Sequence, residues 1–180
     1  MADRPYIIAL DPATNTGICE GQVGRAPTLH AQYFGGAGDH DALYGAATAF
    51  FATFLLTRKP DLIAIEAPIY DGNGRTSLDA IAISRGLYAI FTGIARAKGI
   101  QTIRAPIGTW RKFFLGRGNL NGKEAKSQSV KLCAQLGWKA PTHDAAEAAG
   151  IWMWAGSQIA PRCAQRVEPL FVANGVCSNG

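Results

Sequence analysis

The sequence lacks the cysteine spacing that a zinc site requires. Its four cysteines, Cys19, Cys133, Cys163 and Cys177, form neither a CxxC pair nor a Cys/His cluster. It also lacks any uninterrupted run near the roughly 20 apolar residues of a membrane helix, and its N-terminal apolar stretch is too short for a signal peptide. These absences predict free thiols, no membrane partner and a cytoplasmic location.

Charged residues are few and unequal in sign. They make up 17% of the 180 residues, and 18 Lys and Arg against 13 Asp and Glu give a formal net charge of +5 at pH 7. Hydrophobic residues supply 48%, which excludes a disordered chain. An excess of positive charge favours a polyanionic partner, and nucleic acid is the leading class.

Hydrophobic periodicity predicts one domain over residues 1–158, followed by an irregular tail over residues 159–180 that contains two prolines and ends in NGVCSNG. The predicted strands are 6–10, 17–23, 28–34, 62–66 and 100–104. The predicted helices are 39–57, 76–98, 108–115, 123–136 and 142–157. Short turns favour antiparallel pairing of the first three strands, and strand–helix–strand units favour parallel pairs. The order predicts an α/β fold with a mixed five-stranded sheet, three strands antiparallel and two parallel, flanked by helices.

Four acidic residues occupy positions that the predicted fold can bring close together. Asp11 and Glu66 each end an apolar strand, and strand ends at one sheet edge can lie side by side. Asp144 and Glu147 are three residues apart in a predicted helix, which places both on one face. Clustered carboxylates raise one another's pKa unless cations neutralise them. Oxygen-only ligands favour Mg²⁺ or Mn²⁺, and two such ions form a clamp used in phosphodiester hydrolysis.

Each acid also has a simpler interpretation. Asp11 precedes Pro12 and is compatible with an ordinary turn, and the two helical acids are compatible with complementing the helix dipole. The occurrence of all four in this order favours the metal site.

The motifs around these acids resemble those of the RuvC Holliday-junction resolvases. IALDPATNTG is similar to the opening strand and its turn, AIEAPIY to the second motif, and HDAAEAAGIW to the closing helix. The resemblance implies an RNase H-like fold and two Mg²⁺ or Mn²⁺ ions per site, with these catalytic metal ligands: Asp11, Glu66, Asp144 and Glu147. Two departures are Ala13, where the family usually has Gly, and Glu147, which replaces an Asp.

The resemblance also implies residues that contact the nucleic acid. Lys123 is implied as a catalytic residue at the scissile phosphate together with Arg111, with Lys126 as the alternative, because a fixed cation there offsets developing charge. Tyr70 is implied as an aromatic residue that stacks on bases. The implied DNA-binding set is Tyr70, Arg85, Arg111, Lys112 and Lys126.

The function that the resemblance implies is metal-dependent endonucleolytic resolution of Holliday junctions or other branched DNA. Symmetric nicking of a two-fold substrate favours a homodimer. Two alternatives stay open: an RNase H-like nuclease of the YqgF type that acts on RNA, and a noncatalytic junction-binding protein. A sugar kinase or actin-like ATPase also has a strand-end Asp but needs two such domains, and 180 residues supply one.

Overall fold

All ten predicted elements form, and their ends differ from the predicted ones by a few residues. The structure is a computed structural model that describes residues 4–36, 38–68 and 76–164. In these ranges the strands are β1 (Tyr6–Asp11), β2 (Asn15–Gln22), β3 (Thr28–Tyr33), β4 (Leu62–Glu66) and β5 (Gln101–Ala105). The helices are α1 (His40–Phe54), α2 (Leu78–Ala97), α3 (Ile107–Leu115), α4 (Gly122–Gln135) and α5 (His143–Ile159). Tyr70, Cys177 and residues 165–180 of the predicted tail lie outside the described residues, so the domain boundary stays a prediction.

The five strands form one mixed sheet in the order β3-β2-β1-β4-β5. β1 and β3 run antiparallel to β2, whereas β4 runs parallel to both β1 and β5. The predicted fold class is therefore confirmed. Leu10 pairs with Ile65 across the parallel β1–β4 pair, so the next residues, Asp11 and Glu66, end adjacent strands at the same sheet edge.

Alternation along the strands decides which face these acids occupy. Side chains of successive strand residues point to opposite faces, so residues two apart share a face. One face packs against α3, α4 and α5, and its central strand residues are Ile7, Ala9, Leu62 and Ala64. The other face packs against α1 and α2 through Ile8, Leu10, Ile63 and Ile65. Continuing the alternation assigns both Asp11 and Glu66 to the α5 face.

Helix α2 is the longest helix of the described residues, with 20 residues. By length and composition alone it could cross a membrane, a test that core helices of soluble proteins also pass. Ile83, Leu87 and Phe91 are buried, and the helix packs on α1, β4 and β5. Such a buried stripe is typical of a helix that packs on a sheet.

Small residues let α5 lie directly on the sheet. Its buried first turns are AAEAAG, and Gly17 of β2 faces the start of the helix. A Cβ at Gly17 would lie 2.0 Å from the backbone oxygen of Asp144. Gly17 also pairs with Asp11 across β1 and β2. This close approach therefore brings the first turn of α5 to the end of β1.

We expect Gly17→Ala to lower the free energy of unfolding by about 1–3 kcal/mol, because the methyl group meets backbone that has to shift. Gly45→Ala is the matched control, since a Cβ in that α1 position meets nothing within 4 Å. The control gains helix propensity and becomes more stable by about 0.5–1 kcal/mol. Urea unfolding of both variants tests this, and equal stabilities would contradict the close approach.

Candidate metal centre

Three of the four predicted acids converge. Asp11, Asp144 and Glu147 each offer a carboxylate oxygen, and these oxygens lie within 4.8 Å of one another. Asp11 and Glu147 are 7% and 3% exposed. Thr142 caps α5 by accepting a hydrogen bond from Ala145 N, which begins the helix so that both of its acids face the sheet. A buried set of close oxygen donors fits a hard divalent cation such as Mg²⁺ or Mn²⁺.

Glu66, the fourth acid, is held beside this group by a tryptophan. Its Oε1 accepts a hydrogen bond of 2.8 Å from Trp110 Nε1. Trp110 is fully buried, and its ring covers Gly150 of α5 so closely that a Cβ there would lie 2.8 Å from the ring. Trp110 therefore orients Glu66, and Gly150 makes room for the ring.

Two cations pair with the acids of α5. Arg111 Nη2 donates to Glu147 Oε1 at 2.9 Å, and Lys126 Nζ donates to Asp144 Oδ1 at 2.8 Å. Both residues were predicted to contact nucleic acid. Their positive charges reduce the repulsion among the carboxylates, and the nucleic-acid contact stays a prediction.

The other predicted contact residues are exposed or lie outside the described residues. Lys123 is exposed at the start of α4, and in the described part of the chain it forms no ion pair, so its catalytic role stays a prediction. Lys112 and Arg85 are exposed on α3 and α2. Tyr70 lies outside the described residues.

Asn15 belongs to the site although the sequence analysis placed it in a turn. Its Nδ2 donates to Asp144 Oδ2 at 3.1 Å. The predicted start of β2 at residue 17 is too late, because Thr16 Oγ1 donates to the oxygen of Ala13 and closes the turn earlier. Asp144 is thus held by Asn15 through one oxygen and by Lys126 through the other.

Asp11 differs from a buried acid elsewhere in the fold. Glu20 accepts two hydrogen bonds from Arg58, at 2.7 and 3.1 Å, and another from the Tyr6 hydroxyl. Asp11 has no ion pair among the described residues and is surrounded by other acids. The carboxylate of Glu20 has its hydrogen-bond and ion-pair partners within the protein. The cluster around Asp11 has more acids than the nearby cations Arg111 and Lys126 can balance.

Burial and mutual repulsion raise the pKa values of the clustered acids. Burial, followed by the charges of Glu66, Glu147 and Asp144, holds the pKa of Asp11 well above its usual range. Burial raises the pKa of Glu66 from 4.5 to about 7, although the hydrogen bond from Trp110 opposes the shift. Burial also raises the pKa of Glu147 against the effect of Arg111. The cluster therefore favours bound protons near neutral pH, which a divalent cation would replace.

The mixed sheet with its flanking helices is the RNase H-like fold of the RuvC resolvases, as the motifs implied. RuvC of Thermus thermophilus in complex with a Holliday junction substrate superposes with a TM-score of 0.66 at 16% identity, covering 91% of this chain and 99% of that one. RuvC from the same organism in a further structure gives 0.61 at 16% identity, covering 90% and 99%.

The yeast mitochondrial Holliday junction resolvase is a more distant structural neighbour. Its TM-score is 0.57 at 13% identity, with coverage of 87% of this chain and 82% of that one. No protein-family profile matches the chain, and no curated protein matches it by sequence. The likeness is thus one of fold.

The raised pKa of Glu66 predicts that stability without divalent cations falls as pH rises. The folded protein keeps a proton up to about pH 7 that the unfolded chain releases at 4.5, so the stabilisation is present below 4.5 and lost on passing pH 7. We expect a loss on the order of 2–3 kcal/mol in EDTA. Thermal unfolding between pH 4.5 and 8 measures it, with Glu66→Gln as the control that should show a flatter curve. Parallel curves would refute the assignment.

Trp110→Phe should cost about 1–2 kcal/mol of unfolding free energy, and more at pH 8 than at pH 5, because the lost hydrogen bond favours the ionised Glu66. Trp138→Phe is the control, since Trp138 packs edge-to-face on Trp152 in the core. Its cost should be the same at both pH values. Denaturant unfolding at pH 5 and pH 8 decides, and a pH-independent cost in the Trp110 variant would contradict the orienting role.

Proposed function

We propose that the protein is a divalent-metal-dependent endonuclease that cuts branched DNA, in particular Holliday junctions, by phosphodiester hydrolysis. The observation that carries this proposal is the convergence of Asp11, Asp144 and Glu147, with Glu66 beside them, on a RuvC-like sheet edge. Carboxylates buried together at such a cost are typical of functional sites.

The residues that would hold two Mg²⁺ or Mn²⁺ ions are Asp11, Glu66, Asp144 and Glu147. The bound ions would supply an activated water and stabilise the leaving oxygen. The protein itself fixes the ligands: β1 and β4 place the two strand-end acids, Asn15 holds Asp144, and Trp110 holds Glu66. The Arg111 guanidinium and the Lys126 ammonium add positive charge beside the acids, where a phosphate would need it.

The region from α3 to the middle of α4 supports a polyanionic partner. Residues 111–131 contain one acid, Glu124, and these cations: Arg111, Lys112, Arg117, Lys123, Lys126 and Lys131. A similar structure is RuvC in complex with a Holliday junction. We infer that this basic region lies along the backbone of a DNA arm while the acids face the scissile phosphate.

We infer that a cleft at the turn that follows Asp11, on the α2 side of the sheet, takes part of the substrate. It has a volume of about 300 Å³ and lies between the turn Pro12–Thr14 and the first turns of α2. The proposal also includes base stacking by Tyr70 and DNA contact by Arg85 and Lys123. It further includes a homodimer that acts on both strands and a cytoplasmic location.

A cleavage assay tests the function directly. The substrates are a synthetic four-way junction, a matched linear duplex and an RNA/DNA hybrid, each with Mg²⁺ or with EDTA. We expect paired symmetric nicks in the junction only, lost in EDTA. Asp144→Asn should lower the rate by more than about a hundredfold, since even the outer partners of metal ligands are worth about 10- to 100-fold.

Asp41→Asn is the control for loss of an acidic charge, because Asp41 is exposed at the start of α1, away from the cluster. It should cleave as the unaltered protein does. Cleavage of the hybrid with the junction intact would favour the RNA nuclease instead. Junction binding without any cleavage would leave only the noncatalytic alternative.

A further inference from the structure

Both α5 acids of the centre already have a protein cation as a partner. Lys126 Nζ contacts Asp144 Oδ1, and Arg111 Nη2 contacts Glu147 Oε1. A divalent cation that binds these acids therefore meets a like charge at each of them. The two protein cations differ in how firmly they are held.

Arg111 is held at several points. Its side chain is 14% exposed, Nη1 donates to the oxygen of Leu120, and the guanidinium lies 5.4 Å from the ring centre of Trp110. A side chain with this many contacts has little freedom to leave Glu147.

Lys126 is held by one contact. Its side chain is 45% exposed, and its hydrogen bond to Asp144 is the only one that the described residues give it. Its flexible four-carbon stem allows the ammonium to swing without moving α4. Lys126 is therefore the cation that can move away from its acid partner.

The arrangement at Asp144 shows which partner a metal ion would displace. Asn15 donates a neutral amide hydrogen to Oδ2, and Lys126 places a full charge on Oδ1. An added divalent charge would repel the charged ammonium far more than the neutral amide. Asn15 would thus keep the carboxylate oriented if Lys126 left.

We propose that Lys126 is an exchangeable counter-ion that competes with a divalent cation for Asp144 and, once displaced, turns to the phosphate of the nucleic acid. This inference rests on the proposed function, because it takes Asp144 as a metal ligand.

Calorimetric titration of the full chain with MnCl₂, without nucleic acid, tests the competition. Lys126→Met should bind Mn²⁺ about two- to fivefold more tightly, because the metal ion no longer has to break a partly exposed ion pair of about that strength. Lys126→Arg, which keeps the charge, should bind as the unaltered protein does. Lys139→Met is the control, because Lys139 is exposed, lies outside the basic region 111–131 and has no ion pair among the described residues.

Unchanged or weaker Mn²⁺ binding by Lys126→Met overturns the inference and leaves the proposed function standing. Failure of the unaltered protein to bind Mn²⁺ overturns the proposed function and the inference together. A second readout guards against a folding defect. The rise in melting temperature caused by Mn²⁺ should be larger for Lys126→Met and for Lys126→Gln than for the unaltered protein, and equal rises would also overturn the inference.

Discussion

Repulsion among carboxylates held in one buried cleft is the constraint on which the rest of the structure depends. Electrostatic repulsion opposes the close approach of Asp11, Asp144 and Glu147, and the charge of Glu66 adds to this repulsion. Each is fixed by an element that has other reasons to stay in place: β1 and β4 are central strands, and α5 is almost wholly buried in its first turns. The energy that opposes the cluster is met by packing elsewhere in the domain.

Glycine and alanine make that packing possible. α5 approaches the sheet closely because Gly17 has no side chain opposite Asp144 and because Ala9 and Ala64 lie on the same sheet face. Trp110 then fits over Gly150 and reaches Glu66. The large ring of Trp110 can reach Glu66 because Gly150 has no side chain in its way. The groups that orient the acids are therefore themselves held in place by packing.

Local patterns were enough to predict the strands, the helices and the strand-end acids. An apolar run that stops at Asp11 or Glu66 is visible in the sequence, and so is the three-residue spacing of the α5 acids. The partners of these acids were not visible, because they depend on how elements rotate against one another. Lys123 and Lys126 lie less than one turn apart on α4, and only the packing of α4 on α5 decides that Lys126 meets Asp144. Trp110 and Asn15 were missed for the same reason.

The parallel pairing of β1 with β4 fixes how far apart two of the acids begin. Adjacent strands lie about 4.8 Å apart, a distance set by main-chain hydrogen bonds and common to all sheets. The separation of the residues that carry Asp11 and Glu66 is therefore a property of the polypeptide backbone. Side chains throughout the domain can change without altering this backbone distance, so a structure only 16% identical to the chain can share its fold.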